Sequence, residues 1–282
     1  MRLQPGRSMY PKAIRLARLG LLSILICYLW ANPSQAADIN FVVQPIINRD
    51  ATIKAYQPLA NYLSKATGKK ITLVTAYDFA DYWLTMKQGK TYSLILDSAF
   101  YTDYRIKKMG YTPLVKVPGL VSYSLVSLPD LGYFDAEELV GRKIASLIPP
   151  SPGGLVISRM FPNTARQPMI IPVKDSNEAL KLLRSGKVRA AMVPTPVAAR
   201  EMNAGNDLSI LKTSEQTPHI TLSAGPSIDA PTQKLIRQAL LTAADTPSGQ
   251  IMLQNIGFSG FEKTTKKAYD GYSKYLTEGW LQ

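Results

Sequence analysis

The sequence is poor in the two residue types that carry most nucleophilic and metal-binding chemistry. Its 282 residues include one histidine, His219, and one cysteine, Cys27. One histidine excludes His-based catalytic triads of the usual kind and His-rich metal sites, and one cysteine excludes an internal disulfide. We therefore predict a protein without catalytic activity, without a cofactor and without a metal site.

Acidic residues leave one enzymatic alternative open, a hydrolase that uses the carboxylates of Asp78, Asp81 or Asp97. Helix capping by Asp78 and solvent exposure of Asp81 are the simpler explanations. Nucleotide-binding motifs are missing: Gly89-Lys90-Thr91 resembles the end of a phosphate-binding loop, but Leu84 stands where its first glycine belongs. No G-x-G-x-x-G follows a predicted strand.

Residues 1–36 have the layout of a secretory signal peptide. Five basic residues precede the apolar run Leu19–Ala31. After the run, Ser34-Gln-Ala36 provides small residues for cleavage after Ala36. The run is shorter than the roughly 20 residues that a membrane-spanning helix needs. We predict export to the periplasm, with an uncleaved membrane anchor as the alternative.

Positive charge is present but dispersed. The chain has 33 Lys and Arg residues and 20 Asp and Glu residues, and removal of residues 1–36 lowers its net charge from +13 to +8. A local cluster, Lys263, Lys266, Lys267 and Lys274, falls on a predicted C-terminal helix over 263–278. A scattered distribution indicates a solvated surface rather than a nucleic-acid interface. We expect no nucleic-acid partner.

Two segments that begin 97 residues apart follow one pattern. The first has a capping Asp78, about three helical turns and a terminal Gly89, and the second has Asp175 and Gly186 in the same roles. Each helix lies between two extended apolar segments: 70–75 and 92–96 in the first unit, 169–173 and 190–193 in the second. Repeated strand–helix–strand units predict parallel sheets with a ligand crevice at the carboxyl ends of their strands.

The remaining pattern alternates strands with helices, which predicts an α/β fold. An N-terminal strand is followed by an amphipathic helix with Ile53, Tyr56, Leu59, Ala60 and Leu63 on one face, and a short helix is predicted over 135–140. We assign the first lobe to 37–119 and 225–282 and the second to 124–220. The chain crosses between them near Pro118–Ser122 and near Thr221–Pro226, which predicts a two-segment hinge.

One run of residues resembles a known family. Tyr56–Gly68, the strand after it and Asp78 are similar to the periplasmic solute-binding proteins of phosphate, phosphite and phosphonate ABC transporters, and the similarity continues through Leu96–Tyr101, Ser151–Gly154 and Leu253–Phe258. This resemblance implies a type 2 periplasmic binding protein fold with a ligand cleft between two lobes. It also implies a small-molecule ligand and, as partner, an inner-membrane permease or a sensor. We expect a monomer.

The cleft is expected where loops follow the strand ends of the two units. The predicted ligand-binding residues of the first lobe are Tyr77, Asp78, Phe79, Asp97, Ser98 and Tyr101. Those of the second lobe are Ser151, Pro152, Gly153, Gly154, Pro194 and Thr195.

The resemblance also implies a hydroxyl-rich cradle for a phosphonate group, and this chain departs from it. Tyr101 and Ser151 match hydroxyl-bearing positions, but Phe79 replaces a tyrosine, and Pro152 and Gly153 replace a threonine and a serine. Where the family often has an acidic residue, this chain has Pro194 or Thr195. The lost hydrogen bonds amount to about 5 kcal/mol.

We therefore expect an apolar ligand, of a lipid or sterol-like kind, with one polar group for Tyr101 or Asp97. The alternatives are a true phosphate, phosphite or phosphonate ligand and a role as the ligand-sensing partner of a membrane receptor.

Overall fold

The computed structural model describes residues 1–2, 38–89 and 92–278, and the described residues from 38 onward form one compact unit. Beyond its first two residues, the predicted signal peptide lies outside the described residues, and so does the cleavage after Ala36. The described part has two α/β lobes, each with its own sheet. This is the predicted fold class.

The first lobe is built on a six-stranded sheet. Its strands are β1 Ile39–Val43, β2 Ile71–Thr75, β3 Leu94–Asp97, β4 Thr112–Lys116, β12 Thr221–Ala224 and β13 Glu262–Lys263. Their order is β13-β4-β12-β3-β1-β2, with β1 parallel to both β2 and β3 and with β12 antiparallel to β3 and β4. The helices of this lobe are α1 Arg49–Thr67, α2 Phe79–Lys87, α3 Ala99–Met109, α7 Ala230–Leu241 and α8 Pro247–Ile256.

The second lobe has a five-stranded sheet. Its strands are β6 Tyr123–Ser127, β7 Lys143–Ser146, β8 Met169–Pro172, β9 Ala190–Pro194 and β10 Ser209–Thr213, and its helices are α4 Pro152–Met160, α5 Ser176–Arg184 and α6 Thr195–Asn203. The order is β10-β6-β9-β7-β8, with β7 parallel to both β8 and β9. The arrangement around β7 therefore matches the arrangement around β1.

The predicted repeat is confirmed at the level of single hydrogen bonds. The carboxylate of Asp78 accepts the N–H of Asp81 at 2.8 Å at the start of α2, and Asp175 accepts the N–H of Glu178 at 2.9 Å at the start of α5. In return, Asp81 accepts the N–H of Tyr77, and Glu178 accepts the N–H of Lys174. These reciprocal caps satisfy N–H groups that a helix start leaves free.

Two chain crossings join the lobes, and they pair with each other. The short strands β5 Leu120–Val121 and β11 Thr217–Pro218 form an antiparallel ribbon. The second crossing precedes the predicted position near Thr221–Pro226, because Thr221–Ala224 already pairs with β3 and β4 of the first sheet. This pairing buries Leu222 completely and anchors the strand to the first lobe.

Two local predictions are wrong. The predicted helix over 263–278 is divided into β13, a 3₁₀ turn at Lys266–Tyr269 and the single-turn helix α9 Lys274–Thr277, so its lysines do not share one helix. Gly271 interrupts it with φ 92°, outside the right-handed helical region. Ile53 is 39% exposed and does not share the buried face of α1. The short helix predicted over 135–140 is present as a 3₁₀ helix, Ala136–Leu139, capped by Asp135.

The two lobes share a hydrophobic cluster. From the first lobe it includes Phe79, Phe100 and Tyr101, and from the second Leu155 and Met192, all less than 6% exposed. Burial of this apolar surface stabilises the packing of the two lobes against each other, at about 25 cal/mol per Å² removed from water.

Candidate functional site: the interlobe cleft

Two cavities occupy the cleft between the carboxyl ends of the central strands. The outer cavity, of about 570 Å³, is lined by Pro45, Ile47, Asn48, Arg49, Tyr77, Asp78, Phe79, Ala80, Leu147, Ile148, Pro149, Pro172, Val173 and Lys174. The inner cavity, of about 250 Å³, is lined by Ile46, Ile47, Tyr123, Leu147, Pro152, Gly153, Asp175, Ser176, Asn177, Pro194, Val197 and Arg200. Ile47 and Leu147 line both cavities, so the two cavities adjoin at these residues.

The loop before α2 brings three predicted residues to the outer cavity. Tyr77 is 90% exposed at its rim, and Asp78 lies beside it with its carboxylate engaged in the helix cap. Phe79 is 5% exposed, and its ring lies nearly parallel to that of Tyr101 at a centroid distance of 6.3 Å. The apolar replacement at position 79 therefore forms part of a cavity wall.

Three other predicted residues of the first lobe line neither cavity. Asp97 is fully buried, and its carboxylate accepts hydrogen bonds from the Tyr82 hydroxyl at 2.9 Å, Thr102 at 3.0 Å and the Arg105 Nε at 3.1 Å. Burial raises the pKa of Asp97, and the Arg105 guanidinium opposes that rise. Asp97 thus supports the start of α3 from inside the lobe.

Ser98 and Tyr101 belong to the start of α3. The N–H of Ser98 donates to Gln44 Oε1 at 3.0 Å, and the buried Ser98 Oγ has no hydrogen-bond partner among the described residues. The hydroxyl of Tyr101 donates to the carbonyl oxygen of Pro150 in the second lobe at 2.7 Å. Burial raises the pKa of Tyr101 well above its usual value, so this hydroxyl remains a proton donor.

The second-lobe residues lie at the start of α4 and around the end of β9. Ser151 is fully buried and accepts the N–H of Gly154 at 3.0 Å, which caps α4. Pro152, Gly153 and Pro194 line the inner cavity. Gly154 packs tightly against the Ile148–Pro149 backbone.

Thr195 is held within its own lobe. Its hydroxyl forms 2.8 Å hydrogen bonds with the hydroxyls of Ser122 and Ser124.

The two hydroxyls that match the family's phosphonate cradle already have partners within the protein, since Tyr101 is bonded to Pro150 and Ser151 caps its own helix. Thr195, at the position where the family often has an acidic residue, is bonded to two serines. The polar residues that line the outer cavity are different ones: Asn48, Arg49, Tyr77, Asp78 and Lys174. The site combines an apolar wall with two cationic residues and one acidic residue.

The prediction from sequence missed Ile47, Arg49, Leu147 and Lys174. These residues follow β1, β7 and β8. The predicted site covered the ends of β2, β3 and β9 and, after β7, only residues 151–154. The repeat itself carried the missing signal. Because β1 and β7 are the central strands of their parallel units, the loops after them must open into the same crevice.

The interlobe hydrogen bond of Tyr101 gives a testable prediction. Tyr101→Phe leaves the buried Pro150 carbonyl without this donor, and we expect a loss of about 1–2 kcal/mol in the free energy of unfolding. Urea denaturation measures it. Tyr104→Phe on the same helix is the control, because no hydrogen bond of the Tyr104 hydroxyl is found within 38–89 and 92–278; an equal effect of both changes contradicts the prediction.

Neither metal binding nor membrane spanning finds support in the part of the chain that the structure describes. There, no group of three or more His, Cys, Asp or Glu side chains could hold a metal ion. No helix over the same residues combines the length and apolar character needed to cross a membrane.

Solved structures of similar fold are two-lobed binding proteins. PhnD1 from Prochlorococcus marinus, in complex with methylphosphonate, is 12% identical with a TM-score of 0.71, covering 84% of this chain and 96% of that one. A Xanthomonas citri protein bound to ATP is 12% identical with a TM-score of 0.70, covering 86% and 97%. The binding protein component of an ABC phosphonate transporter from Pseudomonas aeruginosa is 15% identical with a TM-score of 0.65, covering 82% and 83%.

Sequence comparison leads to the same group of proteins. No curated protein matches the chain by sequence. The family model of the periplasmic substrate-binding protein of phosphonate ABC transporters matches residues 41–269, which is most of the chain. The chain therefore belongs to the family of phosphonate ABC transporter periplasmic substrate-binding proteins.

Proposed function

We propose that this protein captures, in the interlobe cleft, a ligand with a long apolar body and one anionic group, and delivers it to an inner-membrane permease. The outer cavity is the observation that carries the proposal. Ile47, Phe79, Leu147 and Val173 provide apolar wall, and Arg49 and Lys174 lie at the same cavity. Each buried CH₂ of such a ligand contributes about 0.8 kcal/mol.

The proposal includes the way in which the protein works. The first lobe, 37–119 with 225–282, and the second lobe, 124–220, close around the ligand. They close about the antiparallel ribbon of β5 and β11, here called the hinge ribbon, and no chemical step follows. The carboxylates of a possible hydrolase have other roles, since Asp78 and Asp81 take part in helix capping and Asp97 is bonded to Arg105. The signal peptide directs the chain to the periplasm and is cleaved after Ala36, and the protein acts as a monomer.

The sequence predicted a ligand with one polar group that contacts Tyr101 or Asp97. The present proposal replaces that group with an anionic one that binds elsewhere. Both of these side chains are fully buried and bonded within the protein. Arg49 and Lys174 line the outer cavity from opposite lobes, and in this proposal the carboxylate of the ligand binds at these two residues. Charge-assisted hydrogen bonds of this kind are stronger than neutral ones.

Calorimetric titration of decanoate and methylphosphonate tests the ligand class. We expect decanoate to bind at micromolar concentration and methylphosphonate to bind at least tenfold more weakly, because the family's hydroxyl cradle is bonded internally. Mass spectrometry of the extracted protein is expected to detect a co-purified amphiphile. Tight binding of methylphosphonate together with no binding of decanoate would refute the proposal.

A double change, Arg49→Ala with Lys174→Ala, tests the anionic group. We expect decanoate affinity to fall about tenfold, the equivalent of one charge-assisted hydrogen bond. Affinity for the uncharged decanol is expected to stay unchanged. Lys65→Ala, an exposed lysine on the same helix as Arg49, is the control. Equal losses for decanoate and decanol would show that the two cations do not contact the head group.

A second candidate function is true phosphonate binding. The family match supports it, and so does the fold similarity to a protein solved in complex with methylphosphonate. The same titration distinguishes the candidates. A ligand-sensing role at a membrane receptor uses the same cleft and differs only in the partner.

A further inference from the structure

The C-terminal segment 264–278, here called the strap, is held by the first lobe. The carboxylate of Asp103 on α3 accepts the N–H of Ser273 at 2.7 Å. Lys107, one turn further along α3, pairs with Asp103 at 3.1 Å and with Asp270 at 2.8 Å. The hydroxyl of Tyr269 is bonded to that of Thr221 on β12 at 2.7 Å.

Aromatic packing adds to these polar contacts. The ring of Phe100 on α3 stacks with that of Tyr275 at a centroid distance of 4.6 Å, and Tyr272 lies at 6.3 Å from the same ring. Leu276 is fully buried in the shared hydrophobic cluster. The strap therefore moves with the first lobe.

On its other side the strap meets the second lobe at Arg159, in the last turn of α4. The guanidinium of Arg159 lies 3.9 Å from the centroid of the Tyr275 ring, and its Nη2 lies 3.3 Å from Glu278. One planar cation thus combines a cation–π contact with an ion pair. This contact joins the lobes away from the hinge ribbon.

A cavity of about 370 Å³ lies next to this contact. Its walls include Phe100 and Tyr275 on the first-lobe side and Val156 and Arg159 on the second-lobe side. The strap also reaches the second lobe where the hydroxyl of Tyr272 donates to the carbonyl oxygen of Gln216 at 3.5 Å. At this edge the strap therefore adds polar contacts between the lobes to the apolar packing of the shared hydrophobic cluster. The contact of Arg159 with the strap therefore contributes directly to the energy difference between open and closed lobes.

We infer that Arg159 is a positioning residue for lobe closure: by binding the strap it favours the closed arrangement, and so raises ligand affinity without touching the ligand. The inference rests on the proposed closure of the lobes around a ligand. The apparent affinity for a ligand that binds the closed state is proportional to the fraction of molecules that are already closed. Loss of the Arg159 contacts therefore lowers both the closed population and the apparent affinity.

The distance between two labels measures closure without any ligand. Lys65→Cys on α1 and Lys181→Cys on α5 are exposed positions in different lobes, and Cys27→Ser removes the native cysteine from the full-length chain. Spin labels or fluorophores at the two sites report the interlobe distance. We expect Arg159→Ala to raise the ratio of open to closed molecules about fivefold, in line with a partly exposed cation–π contact and ion pair.

The matched control is Arg184→Ala. Arg184 pairs with Glu201 inside the second lobe, and its side chain is 42% exposed, close to the 36% of Arg159. We expect no change in the distance distribution for this variant. Arg159→Lys keeps the charge but loses the planar stacking, and we expect an intermediate shift. Identical distributions for Arg159→Ala and Arg184→Ala would overturn the inference.

Glu278→Gln keeps the test decisive if Arg159→Ala impairs folding. Glu278 is 65% exposed, so its change removes the ion pair while leaving the core intact, and we expect a smaller shift in the same direction. No shift for Glu278→Gln and none for Arg159→Lys would also overturn the inference. Decanoate titration is a separate readout: failure of decanoate to bind counts against the proposed ligand, whereas the ligand-free distances still decide the role of Arg159.

Discussion

Arg105→Met is expected to lower the free energy of unfolding by about 3–5 kcal/mol, the largest effect of any single change considered. Arg105 and Asp97 are both fully buried, and the guanidinium lies 5.3 Å from the Tyr82 ring and 5.4 Å from the Tyr111 ring. Removing the cation leaves the carboxylate of Asp97 buried with only the hydroxyls of Tyr82 and Thr102 as donors. An uncompensated buried charge of this kind is strongly destabilising.

The same change is expected to make stability depend on pH. Without Arg105, only the hydrogen bonds from Tyr82 and Thr102 oppose the rise that burial causes in the pKa of Asp97, so the folded state takes up a proton more readily than the unfolded state. A group with a raised folded-state pKa stabilises at low pH, and that contribution is lost as the pH rises through the folded-state pKa. The deficit of Arg105→Met is therefore expected to be smaller at pH 5 than at pH 8.

Urea denaturation at the two pH values measures both effects. Lys70→Met is the control, because the Lys70–Asp38 pair is an exposed one in the same lobe, with side chains 72% and 54% exposed. Exposed pairs contribute little, so we expect a change below about 1 kcal/mol. A loss for Arg105→Met no larger than that of the control would contradict the prediction.

Gly154→Ala is expected to destabilise the second lobe by about 3 kcal/mol or more. A Cβ at this position would lie 2.3 Å from both the Ile148 carbonyl carbon and the Pro149 nitrogen, which are backbone atoms. Backbone cannot swing aside as the end of a flexible side chain can, so the start of α4 and the Leu147–Pro149 wall of the outer cavity must separate. Overpacking of this kind typically costs 1–3 kcal/mol, and a backbone clash lies at the upper end.

The neighbouring glycine provides the control. A Cβ on Gly153 would meet Met192 Cγ and the Tyr123 ring at 3.8 Å, which is ordinary van der Waals contact. Alanine is also about 1 kcal/mol more favourable than glycine inside a helix. We therefore expect Gly153→Ala to be neutral or slightly stabilising in thermal denaturation. Equal losses for the two variants would show that the close approach at Gly154 does not constrain this helix start.

Local hydrogen bonding explains why much of the architecture was predictable. Asp78 and Asp175 each stand before a helix whose third residue is acidic, and this spacing leads directly to the two reciprocal caps. The glycines that end the helices, such as Gly68 with φ 67°, adopt a backbone conformation that other residues disfavour. The two strand–helix–strand units and the family followed from such short-range signals.

The candidate site was less predictable, because its character depends on which polar groups are already paired. Tyr101 and Ser151 keep the hydroxyls of the family's phosphonate cradle, and the sequence offered no sign that Pro150 and Gly154 use them. Asp97 looked like a residue of the cleft because it ends a strand. Its partner Arg105 lies two helical turns away, and only the folded lobe reveals that pair.

The sequence by itself determined the two lobes, the repeat and the family, since these depend on periodicity and on caps within a few residues. The tertiary structure decided where the second crossing lies, which carbonyl Tyr101 meets, and which residues line the outer cavity. Contacts between residues far apart in the chain, such as Arg159 with Tyr275 and Glu278, arise only when both sheets and the hinge ribbon are in place. The folded geometry determines which residues form these contacts, and the spacing of the residues in the sequence does not predict them.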